Sequence, residues 1–284
     1  MRRIIVTALD GYVTLDALRW CAEVGIAVIV LDTAGGELMT NGAGHNDARL
    51  RRAQAAAPVA VARAIVAEKL RGQYERCGHY GVKDALLRVQ DAVSVEEIRG
   101  IEAQAARYYW AHYRRTSVDF RGDVPDHWRT MGPRNSALTG TNSGGYGFEA
   151  PRRAVTPINA ALNLAYTIGY SEARLVCLAF GLDPALGVLH LDKPHKDGMV
   201  LDLIEAARPT IDETVFDLIG SRIFTKRDFA ETMDGQCIVA PPLSHEFIER
   251  ASEVSRGALR DMGTEVMRVL ERESGMRFGN RKVK

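Results

Sequence analysis

The stretch from Gly181 to Pro209, GLDPALGVLHLDKPHKDGMVLDLIEAARP, concentrates side chains whose types and spacing could do chemistry. His190 falls on a loop. Asp202 and Glu205 follow on a short predicted helix, three residues apart, which puts both on one face. Leu201 and Ile204 lie beside them, so that face is not simply a solvated one. An imidazole and clustered carboxylates near apolar side chains point to a metal site or an acid/base site. One imidazole with two or three oxygens suits Mn²⁺ or Mg²⁺ better than a thiolate-preferring metal. An ion with an open coordination position polarises a phosphoryl oxygen and activates an oxygen nucleophile. His195, in KPHKD, reads as solvated, whereas Val188 and Leu189 draw His190 towards a core.

A distant glutamate joins this set. Glu102 sits four residues after Ile98, alongside Ile101 and Ala105, on or beside the inner face of a predicted helix. A buried carboxylate is costly unless it is paired, protonated or bound to metal. Arg99 and Arg107 share that helix without clean i±4 spacing to Glu102, so its partner comes from elsewhere or is a cation. Each candidate keeps a plain alternative. Glu102 can be half of a structural ion pair, His190 a structural or exposed histidine, and Glu205 a partner of Arg208.

The elements that must position these residues are legible in outline. Residues 3–9 and 26–32 are β-branched runs that predict strands. Between them Thr14 to Val24 predicts a short helix, with Thr14 as cap and Gly25 as stop. Residues 32–44 are turn-rich and could hold a further hairpin. From about Asn46 the pattern becomes helical: Arg49–Ala56, a restart at Pro58, Val59–Arg76, Lys83–Asp91, and a long helix opened by Ser94 through about Arg115. Ser94 and Glu97 predict a capping box, with Ile98, Ile101, Ala105, Tyr109 and His112 as the inner face. The region 119–151, with its GTNSGGYG run (140–147), reads as a mobile loop. Thr156-Pro157 opens a buried helix, or two with a break near Gly169. Thr210 and Glu213 predict a second capping box and a new helix. Residues 223–229 read as a connector, 244–273 as a long amphipathic helix, and the residues from about Ser274 as frayed.

Composition narrows the function classes. Of 284 residues, 46% are apolar and 26% charged, as in an ordinary water-soluble globular protein. The longest apolar runs are too short to span a bilayer, and MRRIIVTALDGYV makes no convincing signal peptide, so a cytoplasmic protein without membrane contact is expected. The four cysteines, Cys21, Cys77, Cys177 and Cys237, form no CxxC pair and predict reduced, mostly buried thiols. A net charge of +1 excludes a uniformly basic coat. It leaves room for local arginine clusters, at Arg49, Arg51 and Arg52, at Arg107, Arg114 and Arg115, at Arg152 and Arg153, and in a tail of Arg281, Lys282 and Lys284.

Six groups of segments then carry a resemblance, in order along nearly the whole chain: GYVTLDALRWCAEVGIAVIVLD (Gly11 to Asp32), RRAQ and AIVAEKLRGQ (within Arg51 to Gln73), RGIEAQAARYYW (Arg99 to Trp110), TPINAALNLAYTIGY (Thr156 to Tyr170), GLDPALGVLH (Gly181 to His190) and VLDLIEAARP (Val200 to Pro209). Together they resemble the CRISPR adaptation integrase, the Cas-one family of spacer-acquisition nucleases. The resemblance implies an α+β, mostly α chain, with a β-rich N-terminal domain (1–45) and an α-helical catalytic domain (46–284). It implies Mn²⁺ or Mg²⁺ held by Glu102 of the RGxE-type motif, His190 of the LDPxxGxLH motif and Glu205 of the DLxE-type motif, with Asp202 supporting or alternating with Glu205. The implied activity is insertion of prespacer DNA into a CRISPR repeat by 3′-hydroxyl attack. A structure-selective DNA nuclease and a catalytically idle assembly subunit are the alternatives. Implied partners are double-stranded DNA, a second copy or a pair of dimers, and the small Cas-two partner protein. Two departures stand out. Ala103 replaces the usual glycine after the motif glutamate, and the strands usually preceding GYVTLDAL are largely missing. The second implies a shortened N-terminal domain and puts the usual partner interface in question.

Overall fold

In a computed structural model, residues 2–6, 11–24, 26–31, 37–41, 47–131, 154–190, 197–233 and 235–278 are described. The first strand, β1 (Arg2–Val6), pairs in parallel with β2 (Ile26–Leu31) across the helix α1 (Leu15–Glu23), and β2 pairs antiparallel with β3 (Glu37–Asn41). The Thr14 hydroxyl accepts the Ala17 N–H at 3.2 Å and starts α1 as its sequence predicts. The expectation of a β-rich N-terminal domain needs correction. The described residues hold one small sheet with one helix, and among their described side chains only Cys21 and Val28 are buried. Leu15 and Trp20 are exposed on α1.

The remainder is mostly helical: α2 (Ala48–Ala56), α3 (Pro58–Cys77), α4 (Tyr80–Asp91), α5 (Val95–Tyr113), α6 (Pro157–Phe180), α7 (Gly198–Gly220) and α8 (Leu243–Ser274). A hairpin of β4 (Phe229–Glu231) and β5 (Cys237–Val239), which the sequence reading missed, lies between α7 and α8. Helix α3 is shared by two groups, packing on α4 and α5 on one side and on α7 and α8 on the other. Helices α6, α7 and α8 pack mutually. Leu50, Ile65, Leu70, Ile98, Ile158, Leu162, Met199 and Leu203 are fully buried and join these groups into one apolar core. Among the described residues, no helix is long and apolar enough to cross a membrane. Cys21, Cys177 and Cys237 are buried free thiols, and Cys77 is half-buried.

Several local expectations change. Ser94 caps α5 by accepting the Glu97 N–H at 3.1 Å, but the Glu97 carboxylate takes the Val93 N–H at 2.9 Å, so the box is not reciprocal. The inner face of α5 ends at Tyr109, and His112 is exposed. Helix α6 runs unbroken through Gly169, which packs against Ile204 and Ile211. No new helix starts at Thr210, because α7 continues through Pro209. The Thr210 and Glu213 side chains are drawn instead to Arg76 of α3, at 3.3 and 2.6 Å. At the C-terminal side, order continues past Ser274. Phe278 is buried and its N–H donates to Glu271 at 2.9 Å. His195, the GTNSGGYG run, Arg152, Arg153 and the basic tail lie outside the described residues.

Candidate metal centre

The loop that carries His190 is built before it is aimed. Gly181 ends α6 in the left-handed region at φ 75°, and the Leu182 N–H turns back to the Cys177 carbonyl at 3.0 Å. Gln54 of α2, 1% exposed, then clamps the next residues: its amide donates to the Asp183 and Leu186 carbonyls at 2.9 Å each, and its oxygen accepts the Asp183 N–H at 3.0 Å. At Gly187 the loop presses on the start of α7. A Cβ there would stand 2.3 Å from the His190 carbonyl oxygen and 2.8 Å from the Gly198 backbone, so no larger residue fits without displacing the loop. This is the physical reason for the glycine in DPALGVLH.

Asp202 completes the loop from below. Its carboxylate is fully buried and accepts the backbone N–H groups of Val188, Leu189 and His190 at 2.5, 3.0 and 2.9 Å. The same carboxylate lies 2.7 Å from His190 Nδ1. With Nδ1 engaged, Nε2 is the nitrogen left for a ligand, a pairing typical of metal-ligating histidines. Asp202 therefore holds His190 and its loop, and it is His190 that lines the cavity with Glu205.

Glu205, 6% exposed, turns the other way. It accepts from Lys69 Nζ of α3 at 2.5 Å and pairs with Arg208 at 3.2 Å. Glu102 of α5 accepts from the same Lys69 nitrogen at 2.6 Å. Burial pushes the Glu205 carboxyl up, but Arg208 and then Lys69 more than offset this and hold it down at about 2. Burial likewise opposes the Lys69 ammonium, and Glu205 and Glu102 outweigh it, leaving Lys69 above its ordinary value. Arg208 lies over the Tyr166 ring at 5.0 Å from its centroid. The hydroxyls of Tyr166 and Tyr109 both donate to the buried Asp212, the second at 2.9 Å. Burial, reinforced by Asp212, pushes the Tyr109 phenol far above its usual range.

Lys69, Arg99, Glu102, Ala103, His190, Glu205 and Arg208 line one cavity of about 390 Å³. The structure thus brings Glu102, His190 and Glu205 to a single space and sets Asp202 behind His190. Among the described residues, no three His, Cys, Asp or Glu side chains stand close enough together to hold an ion as they are. Two of the carboxylates close on Lys69 instead. Sequence reasoning missed Lys69, Gln54 and the Tyr166–Asp212 support. A signal for Lys69 existed. It stands four residues after Ile65, three after Val66 and four before Gln73, on the buried face of α3, where an unpaired ammonium is costly.

The fold and this site define a mostly helical protein with a cavity lined by two carboxylates, a histidine and several cationic side chains. The family model for CRISPR associated protein Cas1 matches residues 2–125 and 136–253, and the chain belongs to that family. It is 26% identical over 255 residues to the CRISPR-associated endonuclease Cas1 2 of Rhodospirillum rubrum, covering 80% of this chain and 68% of that protein. It is 31% identical over 143 residues to the CRISPR-associated endonuclease Cas1 of Leptospira interrogans, and there the match spans 48% of the relative's length. In fold it is similar to a Cas1 protein from Thermotoga maritima, with TM-score 0.70 and 16% identity over 99% of this chain and 88% of that one. It is also similar to a casposase bound to integration product, with TM-score 0.64 and 20% identity over 100% of this chain and 87% of that one.

Proposed function

We propose that this chain is a metal-dependent DNA integrase that inserts short prespacer duplexes into a CRISPR array. The observation that carries the reading is the convergence of Glu102, His190 and Glu205, from α5, the loop before α7 and α7, on one cavity. The donor set fits Mn²⁺ or Mg²⁺: two carboxylates and one imidazole are ligands such ions accept. A single cationic nitrogen, that of Lys69, already reaches both carboxylates. Glu102, Glu205 and His190 Nε2 would hold the ion. When bound, it supplies charge stabilisation at a phosphate and an activated oxygen nucleophile.

The residues of the chain do the rest. Asp202 fixes the His190 ring through Nδ1 and ties its loop to α7. Arg208, held between Glu205 and the Tyr166 ring, and Arg99 at the cavity wall offer guanidinium groups to a phosphate. A prespacer 3′-hydroxyl attacks a repeat phosphodiester. A new ester forms, the old one breaks, and the displaced strand leaves with its own hydroxyl. A second attack on the other strand needs a second active site, so the working unit is at least a dimer, with a pair of dimers as the full form. The Cas1-like fold shared with a casposase whose structure holds an integration product supports strand joining over cleavage alone. Similarity to the partial Cas6-RT-Cas1–Cas2 complex, with TM-score 0.64 and 16% identity, makes a Cas2-type protein the partner to test. We place the division between the N-terminal unit and the catalytic domain at residues 45 and 46.

The test uses purified protein, Mn²⁺, a short duplex and a supercoiled plasmid bearing the repeat, with and without a Cas2-type partner. Integration is expected with wild type and lost with Glu102→Ala. Integration by Glu102→Ala at the wild-type rate would overturn the site assignment. Cleavage of branched DNA without joining would make the chain a nuclease.

A further inference from the structure

A lysine stands where the metal reading needs an ion, in the AIVAEKLRGQ segment, and the proposed chemistry gives it no role. Lys69 reaches the cavity from α3, 7% exposed, and its ammonium bonds both Glu102 and Glu205. No other described lysine or arginine bonds both carboxylates. Arg208 touches Glu205 alone. An ammonium and a divalent ion cannot both sit between the same two carboxylates. They would compete for the same oxygens and repel each other at a few ångströms in a poorly screened space.

We infer that Lys69 is a tethered counter-ion of the metal centre, holding Glu102 and Glu205 together before the divalent ion binds and being displaced from them by it. The inference rests on the proposed metal site. It has two consequences. Without metal, Lys69 keeps the buried Glu205 and the half-buried Glu102 carboxylates from facing each other uncompensated, which would otherwise push α5 and α7 apart. With metal, the same contact is a cost, because the ion binds only the fraction of molecules in which Lys69 has let go, and the apparent affinity falls by that fraction. A site built this way is ordered without its ion and rejects weakly held cations. It also frees a positive charge at the cavity wall once the ion is in place.

Mn²⁺ binding measured by calorimetry on wild type, Lys69→Met, Glu102→Gln and Glu205→Gln tests the idea without reference to catalysis. Lys69→Met is expected to bind Mn²⁺ at least about tenfold more tightly than wild type, and to gain more thermal stability on saturation. A second measurement uses the wild-type protein alone: amine-reactive labelling of Lys69, read by peptide mass spectrometry, is expected to rise when Mn²⁺ is added. Equal or weaker binding by Lys69→Met overturns the inference while leaving the metal site standing. Labelling that Mn²⁺ leaves unchanged or lowers does the same, and decides the matter if Lys69→Met fails to fold. If Glu102→Gln and Glu205→Gln bind Mn²⁺ as wild type does, the metal site itself is wrong and the counter-ion role falls with it.

Discussion

Asp202 and Glu205 are chemically near-identical, three residues apart on one helix, and the fold gives them opposite work. Asp202 meets three backbone N–H groups and an imidazole nitrogen, all from Val188 to His190. Glu205 meets two cationic side chains. The difference follows from what packs over each turn of α7: the incoming loop over the first, α3 over the second. Asp202→Asn is therefore expected to act through the loop. An asparagine keeps one acceptor oxygen and turns an NH₂ towards donors, leaving buried N–H groups unpaired at about 1–3 kcal/mol each. Denaturant unfolding should show that loss of stability, and Mn²⁺ affinity should fall by about 10–100-fold as His190 loses its orientation. If the stability of Asp202→Asn matches wild type, the carboxylate is not what holds the loop.

At the scale of elements, the relative placement of α3 and α7 sets the distance from Lys69 to Glu205, and one close contact fixes it. A Cβ on Gly72 would lie 2.9 Å from the Pro209 Cβ, so the two helices meet where one has no side chain and the other no N–H. Gly72→Ala is expected to destabilise the protein by about 1–3 kcal/mol through overpacking. Pairing it with Pro209→Ala gives no relief, because alanine keeps the Cβ, whereas Pro209→Gly removes it and should recover part of the loss. A double-mutant cycle on unfolding free energies measures that coupling, and purely additive effects would mean the contact is not limiting. The same contact explains where the sequence misled. Thr210 and Glu213 have the local signature of a helix start, but Arg76 of α3 claims both side chains and α7 continues through the proline. Local signals that needed no distant partner were legible: the Thr14 and Ser94 caps, Thr156-Pro157, and the length of α8. Glu102, His190 and Glu205 were named from their motifs, and the structure brings all three to one cavity, which their proposed role as ligands requires. Lys69 and Gln54 were not legible, since their roles depend on contacts more than 30 residues away in sequence, Lys69 to Glu102 and Gln54 to Asp183.

For the molecule as a whole, the cavity charges tie folding to pH with a definite sign. Glu205 is held at about 2, below its ordinary 4.5, because Arg208 and Lys69 outweigh the burial that opposes them. A depressed carboxyl contributes stability that is fully present above 4.5 and is lost as pH falls from there to about 2. The amount is on the order of 3 kcal/mol, a sizeable part of what a folded domain has in hand. Lys69 works at the other limit: raised above its ordinary 10.5, it contributes stability below that pH and loses it as pH rises through the shifted value. The contacts joining α3, α5 and α7 are thus strongest across the broad neutral range and weaken at both ends. Unfolding free energies of wild type and Glu205→Gln, measured from pH 6 to pH 2, test the acid side. The variant should be less stable at neutral pH, because Lys69 and Arg208 lose a charged partner. Its acid decline should be shallower between 4.5 and 2, because the group that titrates there is gone. Parallel declines in the two proteins would mean that the Glu205 carboxylate is not coupled to folding. The three helices would then be held by their apolar faces and by the Arg76–Glu213 and Tyr109–Asp212 contacts, with the cavity charges free to serve the ion.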